Sequence, residues 1–264
     1  MQSVADLKVS TNGRKRLDGK VAIISGGSRG IGDAIVRKFA AEGATVVFTY
    51  NKNKESAEKT VKELRGLNAQ VECLPCSIQD SKSVQDVIDK TIEKFGRVDI
   101  LVNNAGIIRD GLFLTMDESA WKDVIDTNVG GTFLFSKAVC EHMVFQKKGR
   151  IINMSSVVSK IGSVGQANYV ASKGAINAFT KALAAELASK GVTVNAVAPG
   201  LVATEMIENV KGLAGDLTKR IPCGRFADPE EVASLIAFLA SDDAGYITGQ
   251  VILIDGGLSL QSRR

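Results

Sequence analysis

Short, nearly continuous apolar runs alternate with longer amphipathic stretches along this chain. Lys20-Val21-Ala22-Ile23-Ile24-Ser25 reads as a strand buried on both faces. Residues 31 to 42 carry apolar positions at helical spacing and stop at Gly43; residues 44 to 50 again read as a strand. The alternation continues with a predicted helix over 53–67, a strand over 70–74, a helix over 81–95 with Ser81 as its N-cap, and a strand over 99–103. Further strands are predicted over 150–154, 193–198 and 250–254. Long helices are predicted over 118–146, broken near Asn128, over 167–189, and over 229–240.

Strands alternating with helices predict an α/β protein: a doubly wound parallel sheet of about seven strands with helices on both faces. With no internal repeat or long linker, residues 17–264 form one expected Rossmann-type domain. Residues 1–16 are polar, end in Arg14-Lys15-Arg16, and are expected to be a disordered leader. The segment over 201–224 lacks a clear strand, contains Gly212 and Gly215, and is expected to act as a flap.

The 264 residues are 45% hydrophobic and 23% charged, ordinary for a globular protein. A net charge of +4, with basic residues scattered, gives no nucleic-acid footprint. No apolar run reaches the ~18 residues of a membrane span, and the N-terminus has no apolar signal core. The expected location is the cytoplasm, or an organelle stroma if the leader is a cropped targeting segment. Cys73 and Cys76 form a C-x-x-C, but no second pair exists and His142 is the only histidine, so no metal site is expected. The two thiols point to opposite faces of one strand and read as packed side chains. A lone histidine without a G-x-S-x-G elbow also excludes a Ser-His-Asp hydrolase.

A glycine-rich turn follows the first strand: Ser25-Gly26-Gly27-Ser28-Arg29-Gly30-Ile31-Gly32. Glycines let the backbone turn sharply against a pyrophosphate, and the following helix start offers free N–H groups to the anion. Gly26, Ser28, Arg29, Gly30, Ile31 and Gly32 are therefore candidate cofactor contacts. The second strand ends Thr49-Tyr50-Asn51-Lys52-Asn53-Lys54, with no acid to hold a ribose 2′-hydroxyl. Arg29, Lys52 and Lys54 favour a 2′-phosphate instead, so the expected cofactor is NADPH/NADP+. Asn51 lies at the same strand end.

Tyr169 and Lys173 stand four apart, on one helix face. An ammonium beside a phenol is expected to lower the phenol's pKa and make it a usable acid, and Ser156 offers a hydroxyl to a carbonyl oxygen. That set suits proton delivery to a ketone as a hydride arrives.

Taken in order, the glycine turn, Asn103-Asn104-Ala105-Gly106, Asn128, Ser156, Tyr169-x-x-x-Lys173 and Pro199-Gly200 resemble the short-chain dehydrogenase/reductase family. The resemblance implies roles. Tyr169 is the general acid, Lys173 binds the nicotinamide ribose, and Ser156, 13 residues before Tyr169, orients the carbonyl. Asn128 kinks its helix and holds a relay water. Asn104, Ala105 and Gly106 line the cofactor path, and Pro199, Gly200, Val202 and Thr204 meet its nicotinamide end. Ser25 stands where the family usually has Thr. Ser77 and Ile78 lie where an Asp commonly meets the adenine, so adenine contacts differ here.

Residues 103–110, 165–169 and 249–257 resemble the 3-oxoacyl-(acyl-carrier-protein) reductases within that family. This implies NADPH-dependent reduction of a 3-oxoacyl thioester in fatty-acid biosynthesis, a homotetramer, and Lys147 and Lys190 as contacts for an acidic carrier protein. The alternatives are reduction of another ketone (acetoacetyl-CoA, a polyketide, a sugar or a xenobiotic) and a nucleotide-sensing regulator.

Overall fold

The computed structural model describes residues 15–204 and 214–260. Residues 1–14, most of the expected leader, lie outside them. Arg16, assigned to the leader from sequence, belongs to the folded body: its main-chain N–H and guanidinium both donate to Glu42, at 3.2 and 2.8 Å.

One sheet of seven strands runs through the molecule: β1 (Val21–Ile24), β2 (Thr45–Tyr50), β3 (Val71–Pro75), β4 (Ile100–Asn103), β5 (Gly149–Met154), β6 (Val192–Pro199) and β7 (Val251–Ile254). Their order is β3-β2-β1-β4-β5-β6-β7, and every pairing is parallel. Parallel strands need crossovers, and the helices that make them cover both faces. These are α1 (Gly30–Ala41), α2 (Lys54–Arg65), α3 (Ser81–Phe95), α4 (Glu118–Ile125), α5 (Gly131–Gln146), α6 (Val158–Ile161), α7 (Ala167–Leu187), α8 (Ala214–Lys219) and α9 (Pro229–Ala240).

Side chains alternate between two apolar layers, as the two-residue period of a strand requires. Ala22 and Ile24 of β1 join Ile35 and Phe39 of α1 and Ile236 of α9 on one face. Ile23 between them joins Val87 and Ile88 of α3, Phe135 and Met143 of α5, and Leu187 of α7 on the other. The C-x-x-C pair divides the same way: Cys73 packs on the first layer, Cys76 is buried in the second, and both are free thiols.

Local chemistry sets the helix ends. Asp80, rather than the expected Ser81, caps α3: its carboxylate accepts the Lys82 N–H at 3.0 Å, and Gly96 closes the helix at φ +73°. The predicted break near Asn128 is a π turn over Asp126–Gly130 that joins α4 to α5. Strand order reverses between β1 and β4, which opens a crevice at their C-terminal ends. Part of the expected flap, residues 205–213, lies outside the described residues; before it, Val202 bridges to Ala227.

Candidate functional site

The glycine turn leaves β1 at the crevice. Gly26 has φ +67° and Gly30 φ +55°, conformations that side chains resist. A Cβ on Gly26 would press on Ala105 at 3.0 Å, and one on Gly32 would collide with the Gly26 carbonyl oxygen. Ser25 ties the turn to the end of β4: its hydroxyl accepts the N–H groups of Asn104 and Ala105, both at 3.0 Å. The Asn104 amide donates to the carbonyls of Ser25 and Gly26 at 3.0 and 2.8 Å. The serine therefore does by its hydroxyl what the family's threonine would do. Ser28 gives its carbonyl to Ser56 at 2.8 Å, and Ile31 turns inward onto the core. No side chain caps the start of α1, so its first N–H groups face the crevice.

Asn51 and Ser77 line a cavity of about 330 Å³ at the far end of the crevice, with Leu74, Pro75, Cys76 and Ser83. Ile78 is not part of its wall; it packs against Gly131 at the start of α5. Arg29 and Lys52 are exposed and have no ion-pair partner among the described residues. Lys54 pairs with Glu58 at 3.6 Å along its own helix, which matches a solvated helix-entry charge.

The reactive end is built by β5, the loop after β4, and α7. The Ser156 hydroxyl accepts the Val158 N–H at 3.4 Å and pulls the titration of the Tyr169 phenol down. Ser155 is turned away and buried, its hydroxyl donating to the Lys173 carbonyl at 3.4 Å. Lys173 is buried; its ammonium donates to the Met154 carbonyl at 2.6 Å and stands 5.5 Å from the centre of the Tyr169 ring. A Cβ on Gly106 would lie 3.8 Å from that ammonium. Pro199 accepts from the Val157 N–H at 2.8 Å, which joins β6 to the serine loop. Gly200 passes so close to Asp255 that a Cβ would sit 2.8 Å from its Cα. Thr204 reaches back to the glycine turn, 3.5 Å from where a Gly30 Cβ would be, while Val202 is buried.

Asn128 is buried at the π turn. Its amide accepts the Ile107 N–H at 2.8 Å and donates to the Ile107 carbonyl at 3.0 Å and the Ser172 hydroxyl at 3.1 Å. It braces the β4 loop against α7.

The titration of the pair departs from the sequence expectation. Burial pushes the Tyr169 phenol up to about 12, with the Ser156 hydroxyl pulling down and the Asp110 carboxylate pushing up. Burial pushes the Lys173 ammonium down to about 8. The ammonium faces the phenol's ring and donates a hydrogen bond to the Met154 carbonyl, so desolvation outweighs any downward pull on the phenol.

Lys147 and Lys190 are not brought to this site. Lys147 ends α5 just before β5, and Lys190 precedes β6. Both lie at the N-terminal edge of the sheet, roughly 20 Å from Ser156 along a six-residue strand. Other residues of the site carried no signal alone. Gly27 is needed because a Cβ there would lie 2.7 Å from Phe48, and Asn168 holds the Arg109 carbonyl at 3.0 Å just before Tyr169.

These residues fit a dinucleotide: a bare glycine turn at an uncapped helix start, a slot at the adenine end, and a buried cation beside a phenol. Fold and site together define a nicotinamide-dependent oxidoreductase of the doubly wound type. Residues 26–259 match a family model described as "Enoyl-(Acyl carrier protein) reductase". The chain is 47% identical over 244 residues to the 3-oxoacyl-(acyl-carrier-protein) reductase FabG of Thermotoga maritima, covering 92% of this chain and 99% of that protein. It is 46% identical over 243 residues to the 3-oxoacyl-(acyl-carrier-protein) reductase of Synechocystis sp., covering 92% and 98%. A solved mutant of a Serratia marcescens short-chain dehydrogenase/reductase superposes with a TM-score of 0.88 at 37% identity, over 92% of this chain and 99% of that one. The chain belongs to the short-chain dehydrogenase/reductase family.

Proposed function

We propose that the protein reduces the 3-keto group of an acyl thioester carried on an acyl carrier protein, with NADPH as reductant. The observation that carries the chemistry is the buried Lys173 ammonium 5.5 Å from the centre of the Tyr169 ring. Its substrate class rests on the near-full-length likeness to the two 3-oxoacyl reductases.

Reduced nicotinamide, when bound, supplies the hydride. Ser156 holds the carbonyl oxygen and Tyr169 gives it the phenolic proton, so the ketone becomes a secondary alcohol. An ammonium has three protons; with one on Met154, Lys173 keeps two for ribose hydroxyls. Gly26, Ser28, Arg29, Gly30, Ile31 and Gly32 hold the pyrophosphate, and Asn104, Ala105 and Gly106 pave the path to Pro199, Gly200, Val202 and Thr204. Asn51, Ser77 and Ile78 sit toward the adenine. Arg29 and Lys52 receive the 2′-phosphate, which supports NADPH over NADH. Asn128 orders the β4 loop and leads the proton relay from Lys173. The assembly is a homotetramer working in the cytoplasm; among the described residues no helix is long and apolar enough to cross a membrane.

The family model's description favours a second reading, reduction of an enoyl thioester. The test is a panel of 3-oxoacyl carrier-protein thioester, acetoacetyl-CoA, an enoyl thioester and a simple ketone, followed by NADPH absorbance with NADH in parallel. The proposal expects the carrier-bound ketone with NADPH to be fastest. Preferred turnover of the enoyl thioester, or no oxidation with any carbonyl, would overturn it.

A further inference from the structure

We propose that Ser159 and Asn177 are positioning residues for Ser156: together they tie the serine loop to the face of α7 that carries Tyr169 and Lys173. This rests on Ser156 orienting the carbonyl, as proposed above.

Tyr169, Lys173 and Asn177 follow one another at four-residue steps, so phenol, cation and amide share one face of α7. The Asn177 amide donates to the Ser159 hydroxyl at 2.9 Å. That hydroxyl donates in turn to the Ser156 carbonyl at 2.6 Å, and the Ser159 N–H donates to the same carbonyl at 3.1 Å. A serine hydroxyl often bonds back to a carbonyl three residues earlier, and such a bond is local. The Asn177 amide, 18 residues along the chain, makes it a link between α6 and α7. Among the described residues, Asn177 Oδ1 is buried with no partner, and the bond to Ser159 is the side chain's only one. A buried oxygen left unpaired costs stability, so packing alone does not account for this amide. The Ser156 hydroxyl itself meets the Val158 N–H at 3.4 Å, too long to hold it in place. Its position is therefore set by its main chain. Without the Asn177–Ser159 link the serine loop is held chiefly to β6, through the Ser155 and Val157 N–H groups on Val197 and Pro199. Serine and phenol must reach one carbonyl oxygen together, and a small misplacement of either slows the chemical step.

Ser159→Ala cuts the link at its middle, and Ser159→Thr keeps the hydroxyl. NADPH-loaded enzyme is mixed with saturating acetoacetyl-CoA, and the single-turnover rate of NADPH oxidation is read. Ser159→Ala and Asn177→Leu should each slow it about 3–10-fold, the range of one lost hydrogen bond. The double variant should be no slower than Ser159→Ala, because both changes cut one chain of bonds. Ser159→Thr should restore most of the rate. NADPH affinity, by fluorescence titration, should stay as in wild type, since Lys173 keeps its Met154 bond. Melting of the cofactor-free variants should fall by at most about 4 °C, so that folding does not explain the slower step. A wild-type rate in Ser159→Ala, or an equal loss in Ser159→Thr, overturns the proposal. A wild-type rate in Ser156→Ala would instead overturn the carbonyl-orienting reading on which it rests.

Discussion

Burial governs both titrating groups of the site. With Tyr169 near 12, the phenol is protonated throughout the neutral range. Tyr169→Phe removes that proton while keeping the ring, and turnover should fall by ~10²–10⁴ with NADPH binding retained, read by steady-state rates and cofactor titration. Lys173 has a stability signature. Its folded pKa of about 8 lies below its ordinary 10.5, so the unfolded chain binds more protons between those values. Stability therefore rises with pH across that window, and burial of the charge costs about 3 kcal/mol below it. Lys173→Met removes this cost. It should melt higher than wild type at pH 7, with the gap narrowing toward pH 10; Tyr169 contributes the opposite slope only above its ordinary 10. Melting curves of the two proteins at several pH values check this, and a constant gap would contradict a buried cation.

At the scale of elements, the π turn between α4 and α5 joins fold to chemistry. An extra residue in the helix turns Asn128 inward, where one amide satisfies both main-chain groups of Ile107 and reaches Ser172 on α7. Asn128→Ala leaves those buried groups unpaired, at a cost of about 2–4 kcal/mol. Urea unfolding should show that loss, and turnover should fall more steeply because the Gly106 floor beside Lys173 loosens. The break at Asn128 was legible because a polar residue interrupts an apolar stripe. The strands were legible too: β1 is a continuous apolar run, and β4, β5 and β6 are mostly apolar and buried on both faces, with Asn103, Arg150, Asn153, Thr193 and Asn195 among them. Less was written locally. Asp80 and Ser81 are both good caps, and only the turn geometry selects Asp80. The short turns at Phe113–Thr115 and Val158–Ile161 carry no periodicity to read. The direction of the Tyr169 titration depends on burial, which four-residue spacing does not encode.

At the scale of the molecule, the strand order itself shows why Lys147 and Lys190 miss the crevice. Each precedes a strand whose C-terminal end carries the chemistry, so in a parallel sheet both must stand at the opposite edge. A second copy, in the assembly proposed above, would change this for Lys147. Phe133 and Phe145 are exposed on α5 and Trp121 on α4, apolar side chains free to enter a subunit contact. A two-fold axis crossing α5 sets it antiparallel to its copy. α5 has 16 residues, about 24 Å, with Asn128 near its start and Lys147 at its end. Antiparallel pairing would therefore carry each Lys147 toward the crevice end of the neighbouring copy, as a rest for an acidic carrier. Phe133→Glu places a charge in that contact and should dissociate the assembly, measured by light scattering. The rate with a carrier-protein thioester should then drop on the order of tenfold relative to the rate with acetoacetyl-CoA, which needs no docking surface. A dissociated variant that kept the ratio of the two rates would mean that Lys147 serves no neighbouring site.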